Sequence, residues 1–273
     1  KFLNEIELKI SLIKKFNFDF FIICNPTILH YAVIKRLIIF KKPILVEKPL
    51  FYPKNIINNK LILKNKKIIF TAYMMRYDKG INYLLKYVRS RKPISADINW
   101  LTYMPNWHKN ENYKNSYASI QKLGGGVIST CYHEIDLAIY LFGDVISVYS
   151  TNLNQGLKNI DVEDKNISIL KHKNGVVSKI LLDFSSRYIE RKIKLYYEKF
   201  IIEWDFLSSA IFKITNTNTK KIYTYKQNID DLYLKELNEF IFSNKKSIRI
   251  NYENTIQTQN IIKKLFLSAR RIY

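Results

Sequence analysis

Glycine, proline, cysteine and acidic residues are all scarce in this chain, and each scarcity narrows what it can be. Of 273 residues, seven are glycine, six proline and two cysteine. With so little glycine and proline no long linker is visible, and no internal repeat shows. The two cysteines, Cys24 and Cys131, each lie in an apolar run. They exclude a disulfide framework and fit reduced thiols in a cytoplasmic protein. No run approaches the ~18 consecutive apolar residues that a membrane span needs. The opening Lys1-Phe2-Leu3-Asn4-Glu5 carries acid early and does not read as a signal peptide. Acids number 23 against 45 lysines and arginines, a formal net charge of +22. That charge is spread along the chain, with only short clusters such as Lys64-Asn65-Lys66-Lys67, and it accompanies a surplus of Ile, Asn, Tyr and Phe. A/T-rich codons produce this bias, whereas nucleic-acid binders gather charge on one face or arm. A nucleic-acid role is therefore not expected, although a basic surface attracts anionic substrates such as nucleotide sugars.

What is present is a globular composition: 47% apolar, 14% aromatic and 25% charged. It is enough for one large or two ordinary domains. Residues 5–16 read as a helix. The continuous apolar run 18–24 reads as a strand buried on both faces, ended by Asn25-Pro26-Thr27. A helix over about 28–40, a strand at 43–46, a helix over 53–63 and a strand at 67–73 follow. This alternation predicts a parallel α/β unit. Beyond Lys92-Pro93 the pattern changes to period-2 alternation, at 94–104, 176–184 and 193–197. A hairpin turn is expected at Asn216-Thr217-Asn218-Thr219, between strands 211–215 and 222–226. Helices over about 231–243 and 254–271 close the chain. The expectation is an incomplete Rossmann-like parallel sheet over 1–92, then an α+β domain over 93–273 with a mainly antiparallel open sheet.

Three of the seven glycines stand together, Gly124-Gly125-Gly126, and lead into a helix expected to present His133 and Asp136. Glycine is costly to order, so a chain poor in it keeps it where a side chain cannot fit. Asn25-Pro26-Thr27 with His30, and Glu47-Lys48-Pro49, follow the first two strands, and ligands of a doubly wound sheet sit at such carboxyl ends. Taken singly, Lys48 also reads as a solvated lysine at a strand end and His133 as a satisfied core histidine. Arg76 reads equally as a clamp for an anionic substrate group or as an ion pair. Trp107, Tyr113 and Tyr117 read as a stacking surface for a sugar ring or as plain packing. His108 and His172 have no metal-like partners, and no metal site is expected.

The ordered set resembles the Gfo/Idh/MocA family of nicotinamide-dependent sugar oxidoreductases. It comprises Phe18-Asp19 through His30, then Val46-Glu47-Lys48-Pro49-Leu50 and Tyr73-Met74-Met75-Arg76-Tyr77. It continues with Tyr103 through His108, Asn112 through Tyr117, and the glycine run with His133-Glu134-Ile135-Asp136. The resemblance implies hydride transfer between NAD or NADP and a hydroxyl-bearing carbon of a sugar or nucleotide sugar, of the kind found in bacterial surface-carbohydrate pathways. It gives Lys48 the central catalytic role, His133 that of acid/base, and Asp136 that of orienting the imidazole. Asn25, Pro26, Thr27, His30, Glu47 and Lys48 would hold the cofactor; Arg76, Trp107, Tyr113, Thr130 and His133 the substrate. Homo-oligomers through the antiparallel sheet are also implied. Two departures stand out. No Gly-x-Gly-x-x-Gly occurs, so the chain reads as a fragment lacking about 50 residues, roughly one and a half βαβ units. Many members carry an aspartate three or four residues before the histidine, where this chain has Thr130 and Ser129; a hydroxyl cannot act as a carboxylate base. A non-catalytic sugar-binding or regulatory protein of the same fold, and a lyase or glycosidase, are the alternatives.

Overall fold

The computed structural model describes residues 15–52, 60–107, 110–242, 249–268 and 270–271. Most of the expected helices at 5–16 and 53–63, and His108, lie outside the described residues, and residues 15–16 are not helical. The first apolar run contributes a three-residue strand, β1 (Phe21–Ile23), followed by α1 (Thr27–Leu37). Next come β2 (Ile44–Val46), α2 (Lys60–Lys64) and β3 (Ile69–Thr71). The strands pair in parallel in the order β1-β2-β3. Strands β2 and β3 are buried throughout, as their unbroken apolar runs require. Ile22 of β1 is exposed because β1 lies at the edge of the described sheet.

Helix α3 (Lys79–Ser90) starts at Asp78, whose carboxylate accepts from the Ile81 amide at 2.9 Å. It leads to β4 (Ser95–Tyr103). The glycine run opens α4 (Val127–Thr130), which breaks at Cys131 and resumes as α5 (Tyr132–Phe142). Then follow β5 (Val145–Leu153), β6 (Lys165–His172), β7 (Val177–Asp183), β8 (Ser185–Tyr196), β9 (Ile201–Asp205), β10 (Ala210–Ile214) and β11 (Thr219–Thr224). Helices α6 (Ile229–Phe242) and α7 (Tyr252–Ser268) precede a short β12 (Arg270–Arg271). The second sheet runs β11-β10-β9-β8-β4-β7-β6-β5-β12. Only β4–β7 and β12–β5 pair in parallel there; the other pairs are antiparallel.

One face of this sheet carries Ile98, Ile180, Leu182, Ile193 and Leu195, which share a core with Ile135 and Ala138 of α5. The polypeptide then returns to the small sheet. Asn251 bridges Phe70, Tyr252 joins the core of the parallel strands, and the Gln259 amide exchanges two hydrogen bonds with the Phe51 backbone. The C-terminal helices thus tie the two sheets together, and the cleft between them is held from behind.

Candidate functional site

Three segments meet at the glycine run. Gly124 has φ +90°, and a Cβ there would stand 3.1 Å from the side chain of Thr27, the first residue of α1. Gly126 has φ +109°, and a Cβ there would fall 2.3 Å from a Glu163 carboxylate oxygen. That carboxylate accepts from the Ile128 amide at 3.1 Å, while the Glu163 carbonyl accepts from Val127 at 3.0 Å. Glu163 therefore satisfies the opening amides of α4, a role nothing local in the sequence announces.

The break at Cys131 does chemical work. In a continuous helix the Thr130 carbonyl would accept from the amide of residue 134. Here the Glu134 amide turns instead to Cys131 O. The freed Thr130 carbonyl accepts from Lys48 Nζ at 2.7 Å. The ammonium of the half-buried Lys48 is thereby fixed across the cleft with two donor hydrogens to spare. The break also moves His133 into the first turn of α5, not the second turn of a longer helix.

His133 is 5% exposed, and its Nδ1 has no hydrogen-bond partner. Burial, followed by the nearby charges of Lys48, Arg191 and Arg76, holds the imidazole well below its usual range. It is thus neutral at physiological pH and able to take a proton. Burial and Glu134 push the Cys131 thiol well up, so it stays protonated. Glu134 accepts from Arg191 Nε at 2.7 Å, and the guanidinium stacks 4.1 Å from the Trp100 ring centre. Buried polar atoms without a partner among the described residues include Ser129 Oγ, Thr130 Oγ1, His133 Nδ1 and Glu134 Oε2 of this segment, Arg191 Nη2 beside Glu134, and Asn25 Oδ1.

Other residues singled out in the sequence have different employment. Arg76 is 2% exposed and forms a forked pair with Asp136, Nη2–Oδ1 at 2.5 Å and Nε–Oδ2 at 2.8 Å. It is a buried structural pair, not a substrate clamp. Asp136 also accepts from Thr258 at 2.9 Å and receives nothing from His133. His30 is 1% exposed, with Nδ1 at 2.9 Å from Pro49 O and Nε2 at 2.8 Å from Asn25 O. It braces the loops after β1 and β2 from within. Glu47 accepts from the Lys48 amide at 3.2 Å, and burial pushes its carboxyl up. Trp107 donates to Thr102 at 2.7 Å and packs edge-on against Phe184; the Tyr113 hydroxyl donates to Lys158 O. Thr130 and His133 come together with Lys48, while Arg76 and Asp136 form a separate cluster. Among the described residues no group of His, Cys, Asp and Glu could hold a metal ion. Cys24 and Cys131 are free thiols.

Residues 92–203 match the family model described as the GFO/IDH/MocA C-terminal domain. Over that stretch the chain is similar to the family its motifs resemble. No curated protein matches the chain in sequence. Solved structures share the fold at low identity. One is a 3-ketoreductase from Actinomadura kijaniata, in complex with TDP-benzene and NADP. It has a TM-score of 0.79 at 13% identity over 96% of this chain and 82% of that one. A levoglucosan dehydrogenase, in complex with NADH and levoglucosan, gives 0.77 at 18% over 92% and 78%. A UDP-N-acetylglucosamine 3-dehydrogenase from Acidithiobacillus ferrooxidans gives 0.72 at 14% over 97% and 81%.

Proposed function

We propose that this protein is an NAD(P)-dependent oxidoreductase that moves a hydride to or from a hydroxyl-bearing carbon of a sugar or nucleotide sugar, in surface-carbohydrate metabolism. The observation that carries the reading is the Lys48 ammonium, held on the Thr130 carbonyl near the buried, neutral His133, whose Nδ1 has no partner among the described residues. A donor and a proton acceptor so placed suit the hydroxyl of a sugar carbon. The family match over 92–203 and the nucleotide-sugar and sugar enzymes of the same fold support it.

The residues present suit a nicotinamide cofactor. Asn25 Oδ1 is buried without a donor at the carboxyl end of β1, where a doubly wound sheet receives its nucleotide. Asn25, Pro26, Thr27, Glu47 and Lys48 would hold it, and when bound it supplies the hydride acceptor or donor. The protein's own part concerns the proton. His133, neutral because buried, takes the proton of the reacting hydroxyl. The spare N–H groups of Lys48 stabilise the oxygen as it becomes an alkoxide. Thr130 Oγ1 completes the lining; it binds and does not act as a base. In this reading residues 1–92 serve the nucleotide and 93–273 the substrate, and the outer face of the second sheet joins two copies in the cytoplasm.

The test is a panel of free and nucleotide-linked sugars with NAD+ and NADP+, followed by nicotinamide absorbance. Turnover is expected, abolished in Lys48→Ala and in His133→Ala with the circular dichroism unchanged. Activity retained in Lys48→Ala overturns the mechanism. The hydroxyls at Ser129 and Thr130, where the family resemblance implies an aspartate in many members, favour a second reading, a non-catalytic sugar binder. Sugar binding without turnover would identify it.

A further inference from the structure

The net charge of +22 has no part in the chemistry above, yet part of it is organised. Away from Lys48, two adjoining cavities of about 460 Å³ and 480 Å³ run along α3 and share Asn82, Lys86 and Arg249 in their walls. Lys79, Asn82, Lys86 and Arg89 fall at helical spacing along one side of α3. That helix has no acidic residue, so the like charges Lys86 and Arg89, three apart, repel without internal compensation. Arg249 and Lys235 stand across from them, and among the described residues neither cavity has a carboxylate in its lining.

The acids nearest this groove are already engaged or set aside. Asp136 beneath it is taken by Arg76 and Thr258. Glu239 lies beside Tyr77. Asp144 accepts from Gln257 at 3.1 Å. Among the described residues Lys86, Arg89, Lys235 and Arg249 form no ion pair with a carboxylate. Aromatic rings fix the walls. Arg249 lies over Tyr77 at 5.1 Å, Arg76 over Tyr140 at 5.0 Å, and Tyr83 stacks on Tyr223 at 4.8 Å. The two cations shared by both cavities, Lys86 and Arg249, mark the junction. Arg89 lies to one side of it, and Lys79 and Lys235 to the other. A single carboxylate meets only one part of this arrangement; a chain of phosphates meets all three, with arginine forks suited to its oxygens.

We propose that this groove is a second site, for a linear polyphosphate group, either free or carried by a nucleotide. The cavities are of small-molecule size. The cations named here line cavities and do not follow one helix end to end, which suits a small ligand.

Calorimetric titration of the full chain with inorganic triphosphate, with ATP and with a short DNA duplex tests this. Triphosphate is expected to bind with one site per chain. ATP binding more tightly than triphosphate assigns the nucleotide as the source; equal affinity assigns the free anion. The double reversal Lys86→Glu/Arg249→Glu is expected to weaken both by about tenfold or more, as the loss of one charge-assisted contact would. The control Lys199→Glu/Lys220→Glu removes the same net charge elsewhere and is expected to leave them unchanged, as is Lys48→Ala, so the result stands apart from the reading of the catalytic site. Equal weakening by both double variants overturns the proposal in favour of diffuse charge attraction. So does DNA binding without triphosphate binding, or no binding of either.

Discussion

Lys48 has three donor hydrogens, and the fold spends one of them on Thr130 O. Replacing it with arginine keeps the charge but changes a compact ammonium into a planar fork. Lys48→Arg is therefore expected to lose turnover nearly as fully as Lys48→Ala, while cofactor affinity, read by fluorescence titration, changes little. His133 adds a pH signature. Its imidazole is held well below 6.5 by burial, so the proton-accepting form persists on acidification. The kcat/KM for hydroxyl oxidation should stay level between pH 8 and about 6.5, the ordinary histidine value, and fall only at lower pH. Stability carries the same sign. The unfolded chain takes up a proton near pH 6.5 and the folded one does not, so folding weakens as pH falls below that point. Thermal melts of His133→Asn should show a flatter acid limb.

Glu236 works in the opposite sense. Burial, with Glu47 nearby, pushes its carboxyl up to about 8, and it accepts from the Tyr73 amide. The folded chain binds this proton where the unfolded one does not, so its contribution is present at acid pH and lost as pH rises through about 8. Glu236→Gln keeps the acceptor and should be the more stable protein at alkaline pH, by denaturant midpoint.

At the scale of elements, the glycine run and the broken helix form one device. Gly126 combines a φ of +109° with a carboxylate where a Cβ would go. Gly126→Ala should cost about 2 kcal/mol or more in urea unfolding. Removing the carboxylate in Glu163→Ala should restore only the steric part of that loss. The sequence made the run conspicuous through glycine scarcity, but it did not show Glu163, which lies 37 residues beyond Gly126 (163 − 126). Strands β2 and β7 were legible because their burial follows unbroken or alternating apolar patterns, and the β10–β11 hairpin through its polar turn at Asn216-Thr217-Asn218. Strands β5, β6 and β9 were not marked out. Strand β5 carries Ser147, Ser150, Thr151 and Asn152, and β9 interrupts its apolar residues with Glu203. Arg76 was noticed for its charge, and its partner Asp136 for its place near His133. Their pairing across 60 residues is a tertiary fact, invisible to local spacing. Breaking that pair by Asp136→Ala should cost about 3–5 kcal/mol, since a buried guanidinium would be left uncompensated. The same loss would be the penalty for treating Arg76 as a free substrate clamp in design.

For the whole molecule, the unpacked face of the second sheet is the feature to test. Tyr149 stands opposite Ile169 in register, Ile167 lies on the same side of β6, and all three are exposed. If copies join through this face, Ile167→Lys/Ile169→Lys should yield a folded monomer by analytical ultracentrifugation, with unchanged circular dichroism. A homo-oligomer that survives the double substitution would move the interface elsewhere. The basic groove includes neither Lys48 nor His133, so anion binding there need not depend on the Lys48 site.

The tie between Lys48 and Thr130 has a consequence of its own. One partner lies in the loop that follows β2 of the parallel sheet, the other at the end of α4. The ammonium is held in its working position only while both halves of the molecule are together. The position of the ammonium therefore depends on how the loop after β2 and α4 are set against each other, and a substitution that shifts either one would displace it.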